Sequence, residues 1–146
     1  ARITTKGSFT SFQALHATEI LNTKYANVLS SLDKGKTYLF EIVFPKDRHC
    51  IQYPGVDDII LTGVIDINTG EEEDPEDYCN IFNVAKKYDC DDWVNIRKIV
   101  DPDSKTKEGY VVKFNDAENT RIKLKYEEYW KLHYLKASIS GKKIFL

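Results

Sequence analysis

Between Lys34 and Lys36 the apolar residues change their period from about 3.6 to about 2, which confines the chain to folds combining helix with sheet. Upstream, Ala14, Ala17, Ile20, Leu21, Val28 and Leu29 recur at helical spacing. Thr10 and Gln13 fit a capping box, and Lys34-Gly35 supplies a helix stop. From Lys36 to Phe44, alternation of β-branched and aromatic residues predicts a strand ended by Pro45. Arg48 to Tyr53 is expected to form a second strand after the turn Pro45-Lys46-Asp47, and Ile59 to Ile67 a third, closed by Asn68-Thr69-Gly70. Turns this short join antiparallel strands.

The acidic segment Glu71 to Asp77 reads as a solvated cap on a short helix, because acid at a helix N-terminus complements the macrodipole. Metal binding there is the minor alternative. Asp74-Pro75 is a good N-cap and first position, and Tyr78, Ile81, Phe82 and Ala85 supply the apolar face. Past the polar loop Asp101 to Lys107, Glu108 to Phe114 and Thr120 to Tyr126 predict a hairpin, followed by a terminal helix with Tyr129, Trp130 and Leu132. Without repeat or linker, residues 1–146 are expected to form a single α+β domain, antiparallel sheets flanked by helices.

Composition excludes several classes. With 42% hydrophobic and 30% charged residues, the chain has too much apolar surface for disorder. No apolar run approaches the roughly 18 to 20 residues of a membrane span, and no signal peptide is visible, so a cytoplasmic location without membrane partners is expected. Cys50, Cys79 and Cys90 have no zinc-ligand spacing and read as reduced thiols. A net charge of −2 argues against a general phosphate binder, so any polyanion contact must come from a local patch.

Chemistry is sought where a polar group interrupts an apolar pattern, because an unpaired buried charge is costly. Glu41 lies within Tyr38-Leu39-Phe40-Glu41-Ile42-Val43-Phe44, sharing a face with Leu39 and Val43. It either lines a pocket or pairs with a cation. Alternation places Arg121, Lys123 and Lys125 on one strand face, where a phosphate would relieve their repulsion; a solvated edge strand is the plainer explanation. Glu108-Gly109 opens an otherwise apolar strand, where Gly admits a ligand or another backbone and the carboxylate could hold a divalent ion. Hairpin register decides whether Glu108 joins the cations. Lys6-Gly7-Ser8 sets a cation beside a turn without forming a P-loop. His16, His49 and His133 lack triad or metal spacing and read as surface or packing residues.

Taken in order, Lys6-Gly7-Ser8-Phe9 with Gln13-Ala14-Leu15, Phe40-Glu41-Ile42-Val43 with Pro45 and Arg48, Glu108-Gly109-Tyr110-Val111-Val112, and Lys123-Leu124-Lys125 with Tyr129 and Leu132-His133 resemble the adenylyltransferase domain of the phage RNA ligase 1 family. The likeness spans residues 2–138 and belongs to the covalent nucleotidyltransferase superfamily. It implies a ligase adenylation fold, ATP and Mg²⁺ as cofactors, and joining of 5′-phosphate to 3′-hydroxyl RNA ends through enzyme-AMP and RNA-adenylate intermediates. It further implies that Lys6 lies near the nucleotide, that Glu41 contacts the ribose side and that Glu108 serves the metal. Lys123 and Lys125 would neutralise the ATP phosphates, with Tyr129 just beyond them. Ile59 to Val64 matches a strand that in some relatives carries an adenine-stacking aromatic, absent here. The nucleophilic lysine of the family's motif I belongs upstream of Lys6, before Ala1, so the chain is expected to be part of a longer enzyme and inactive alone in self-adenylylation. Adenylation of another strand, as in a DNA or tRNA-splicing ligase, a non-catalytic nucleotide or RNA-end binding module, and a structural domain are the alternatives. The resemblance requires Glu41, Glu108 and the lysines to converge on one triphosphate.

Overall fold

Ser11 rather than Thr10 starts the first helix. Its backbone is extended and its hydroxyl accepts from the Ala14 N–H at 3.2 Å, the N-cap arrangement. Helix α1 then runs Phe12–Thr23 and buries Ala14, Ala17, Ile20 and Leu21. It ends well before Lys34. Near its end Asn22 and Thr23 turn their side chains back onto the Thr18 and Glu19 carbonyls, competing with the helical ladder. Tyr25 then leaves the helical region, and Ala26–Val28 forms a single 3₁₀ turn. Val28 and Leu29 therefore flank the core from a turn instead of extending α1.

The computed structural model describes residues 1–45, 53–88, 107–116 and 118–140. The chain divides into two compact units, one of Ala1–Asp47 with Pro54–Lys87 and one of Arg48–Tyr53 with Tyr88–Leu146.

In the first unit, β1 (Lys36–Val43) pairs antiparallel with β2 (Asp58–Asp66), and β2 pairs on its other edge with the two-residue β3 (Glu72–Glu73). The expected strand Arg48 to Tyr53 lies outside the described residues except for Tyr53, which is not in a strand. The third strand is instead drawn from the acidic segment, so Glu72 and Glu73 are sheet residues and not a helix cap. The helix expected beyond Asp74 contracts to a 3₁₀ turn, Pro75–Tyr78, with Asp74 capping it through the Glu76 N–H at 3.0 Å. After it, residues 83–85 lie alongside Leu61, with Leu61 N–H to Asn83 O at 2.8 Å and Ala85 N–H to Leu61 O at 3.0 Å.

Thr62 is an extra residue in β2. Leu39 pairs with Gly63 and Phe40 with Leu61, leaving Thr62 unpaired as a bulge whose hydroxyl donates to the Leu39 carbonyl at 3.2 Å. This insertion lets Val64 face the same way as Ile59 and Leu61, opposite Tyr38, Phe40 and Ile42 of β1. Ala17, Ile20, Leu21 and Tyr25 cover that face, together with Phe82. Phe82 is wedged against the rings of Tyr25 and Phe40 at 5.0 Å each.

The second unit contains β4 (Gly109–Lys113) and β5 (Arg121–Lys125), paired antiparallel as a hairpin, and helix α2 (Glu127–Ser140). Tyr110, Val112, Ile122 and Leu124 share one half-buried face. Tyr110 there meets Tyr88 at 5.7 Å and Tyr126 at 5.9 Å. The molecule is thus α+β with two antiparallel sheets, and no helix among the described residues is long and apolar enough to cross a membrane.

Candidate functional site

The hairpin register settles where the cations stand. Lys113 pairs with Arg121, Val111 with Lys123 and Gly109 with Lys125, so one face carries Lys113, Arg121, Lys123 and Lys125. β4 and β5 hold four cations and no carboxylate. Like charges facing each other across a ladder are unfavourable, which makes this face a place where an anion is stabilising. Lys123 is exposed and has no ion-pair partner among the described residues. Arg121 donates to the Asn119 carbonyl at 3.1 Å. Lys113 belongs to this face only through the register, a residue that sequence alternation in β5 alone does not reveal.

Glu108 stands opposite Tyr126, whose N–H donates to the Glu108 carbonyl at 3.0 Å. Plain alternation would send its side chain away from the lysines. Gly109 changes that outcome. Its φ of +142° is open to glycine and strained for other residues, and a Cβ there would lie 1.9 Å from the Leu124 carbonyl oxygen. Glycine is therefore required by the approach of the partner strand, and the twisted backbone lets the Glu108 carboxylate reach Lys125 Nζ at 3.3 Å. Lys125 Nζ also sits 4.1 Å from the centre of the Tyr129 ring. Partial burial works against the charge on Lys125, but its bond to Tyr129 and the Glu108 carboxylate outweigh this and hold its pKa above the usual lysine value. Glu108, Lys125 and Tyr129 are thus brought together, with Lys123 two positions along the same face.

No trio of His, Cys, Asp or Glu side chains able to cage a metal ion occurs among the described residues. One carboxylate such as Glu108 nevertheless suits Mg²⁺, which retains waters and rests on substrate phosphates rather than on a protein cage.

Lys6 and Glu41 belong to the first unit. Lys6 is exposed in the tight turn closed by Thr5 and Ser8, whose backbones bond at 3.0 and 3.4 Å. Glu41 is exposed on the outer face of the sheet, opposite Ile60, with Leu39 beside it on the same face. It is not a buried ion pair: no cation among the described residues bonds to it. Ile59, Leu61 and Val64 of the aliphatic run are fully buried against α1 and Phe82, so they form core.

Two polar clusters escaped sequence reasoning. Asp58, 3% exposed, accepts from Tyr25 Oη at 2.9 Å, Asn83 Nδ2 at 2.5 Å and the Ile59 N–H at 2.9 Å, and pairs with Lys24. Burial pushes its carboxyl upward, yet these donors prevail and hold it below the ordinary aspartate value. Lys36 meets Glu73 at 2.8 Å and Tyr78 Oη at 3.1 Å, which raises its pKa. The adjacent pair Asp57-Asp58 before an aliphatic strand was the only local sign of the first cluster. Both clusters tie elements to the first sheet. Comparison with models of known protein families gives no match, and comparison with curated proteins gives none either.

Proposed function

We propose that the chain is part of the adenylyltransferase domain of an ATP-dependent RNA ligase, with the cationic hairpin face receiving the ATP phosphates. The observation that supports this most is the meeting of Glu108, Lys125 and Tyr129 at one end of a strand face that continues to Lys123. Release of pyrophosphate from ATP builds negative charge that must be met by cations already in place. Lys123 and Lys125 supply these, and Tyr129 and Glu108 hold the Lys125 ammonium charged. Glu108 would hold Mg²⁺ on the phosphates, where the ion would screen their charge. Glu41, an exposed carboxylate on a partly apolar sheet face, suits a ribose hydroxyl, and Lys6, an exposed cation, suits a place near the nucleotide. The 5′-phosphate and 3′-hydroxyl RNA ends would be the substrates of the whole enzyme.

Titration calorimetry of Mg-ATP into the 146-residue protein tests this. Lys123→Ala and Lys125→Ala should each weaken binding by about tenfold or more, the scale of one lost charge-assisted hydrogen bond. Absence of Mg-ATP binding, or indifference to both substitutions, would overturn the proposal. No lysine in the sequence lies in K-x-D/N-G, so α-labelled ATP should leave no covalent adduct on this polypeptide. A labelled adduct would contradict the assignment of the nucleophile to another segment.

A further inference from the structure

The alternation of ladder bonds decides what the hairpin offers to its surroundings. Phe114 N–H donates to the Thr120 carbonyl at 2.9 Å, and Tyr126 N–H to the Glu108 carbonyl at 3.0 Å. These bonded pairs close the ladder at its two ends, so in the same register Val112 with Ile122 and Tyr110 with Leu124 are bonded pairs as well. Between them stand Lys113 with Arg121, Val111 with Lys123 and Gly109 with Lys125, the non-bonded pairs, whose backbone N–H and C=O groups point away from the partner strand. On β5 the residues that turn their backbone outward are therefore the same ones that carry the cations. The sheet has two strands, and no strand lies beyond β5 among the described residues. On β4 the outward residues include the uncharged Gly109 and Val111.

We infer that the outer edge of β5 takes up an acidic segment of a partner protein as an antiparallel third strand, with Asp or Glu at every second position. A strand added there sets one residue directly opposite Lys123, bonded to its N–H and C=O and on the same face as its side chain. The residues opposite Arg121 and Lys125 follow at a spacing of two. Carboxylates at those positions would face the cations. The residues between them would lie beside Ile122 and Leu124 on the half-buried face, where valine or threonine fits. Charge selects the occupant. A second copy pairing β5 against β5 would set Arg121, Lys123 and Lys125 against one another, which is how lysines on an edge prevent self-association. A phosphodiester strand would meet the cations but brings no regular row of donors to the outward carbonyls of β5. A peptide supplies both a donor and an acceptor at each pairing position. The inference goes beyond the proposed function, sharing Lys123 and Lys125 with the ATP reading without depending on it.

The test titrates the whole 146-residue protein, isotopically labelled for NMR and without ATP, with a capped peptide of about seven residues in which glutamate alternates with valine. The amide signals of Arg121 to Lys125 should move. Lys123→Ala should weaken binding roughly two- to fivefold, the scale of one cross-strand ion pair. Lys123→Glu should weaken it further and should gain affinity for a peptide with lysine in place of the central glutamate. Methylating the glutamate amides, which face β5 in an antiparallel pairing, should abolish binding, whereas methylating the valine amides, which face away, should leave it nearly unchanged. Binding that survives methylation of the glutamate amides would overturn the inference, because the face would then be reading charge alone. Absence of peptide binding, or indifference to both Lys123 variants, each folded by circular dichroism, would overturn it as well. Mg-ATP titrations on the same variants separate the two proposals. Peptide binding that depends on Lys123 in a protein that does not bind Mg-ATP removes the ligase assignment and keeps the strand site. Mg-ATP binding that depends on Lys125 without peptide binding does the reverse.

Discussion

Replacing Gly109 by Ala should cost far more than a methyl group at the end of a short strand ordinarily would. Two terms contribute. An L-residue held at a φ of +142° carries about 1 to 3 kcal/mol of backbone strain. The added Cβ would also lie 1.9 Å from the Leu124 carbonyl oxygen and 2.7 Å from the Lys125 Cα, both backbone atoms that no side-chain rotation can move. The start of β4 must then separate from β5, and the bond from Tyr126 N–H to the Glu108 carbonyl, worth about 1 kcal/mol, goes with it. A loss of about 2 to 4 kcal/mol follows, read by urea unfolding monitored by circular dichroism, together with weaker Mg-ATP binding because Glu108 no longer reaches Lys125. Gly7→Ala is the matched control. No heavy atom lies within 4 Å of a Cβ at Gly7, so that change should stay within about 0.5 kcal/mol of the parent. If Gly109→Ala unfolds at the same urea concentration as Gly7→Ala, the account of how Glu108 meets the lysines is wrong.

Asp58→Asn should destabilise the protein by about 3 kcal/mol, because the amide turns a donor toward Lys24 and Asn83 where the carboxylate accepted from both. The Asp58 carboxyl is held below its unfolded value near 3.9, so its contribution is fully present above that pH and disappears as pH falls through the lower folded value; urea midpoints of the parent, but not of Asp58→Asn, should drop there. Ser11→Ala should cost about 1 kcal/mol as a lost N-cap and Thr10→Ala much less, a contrast that thermal unfolding can read directly.

Where a local period extends over several residues, sequence and structure agree. The alternation in Arg121-Ile122-Lys123-Leu124-Lys125 foretold both the hairpin and the face its cations occupy, and the run from Lys36 foretold β1 to within a residue. Glu72 and Glu73 could not be recognised in that way, since two residues have no period and glutamate has little preference for strands; the edge of β2 recruits them. Glu41 was expected among residues that seek a core, yet both faces of β1 carry apolar side chains and the carboxylate takes the outer one. The Asp58 cluster joins residues 25 to 34 positions apart, a separation that periodicity does not address. For Glu108, alternation alone gives the wrong face, and the single glycine beside it corrects the direction.

The unpaired residue in β2 bears on how such a chain can change in length. Excising Thr62 would turn the ladder into a regular one while leaving every other pair between β1 and β2 facing as it does now. An insertion or deletion at a paired position of the same strand would instead exchange its two faces from that point onward, turning Val64 outward and Ile65 inward. The strand therefore offers one place where descent can gain or lose a codon without rewriting the interior.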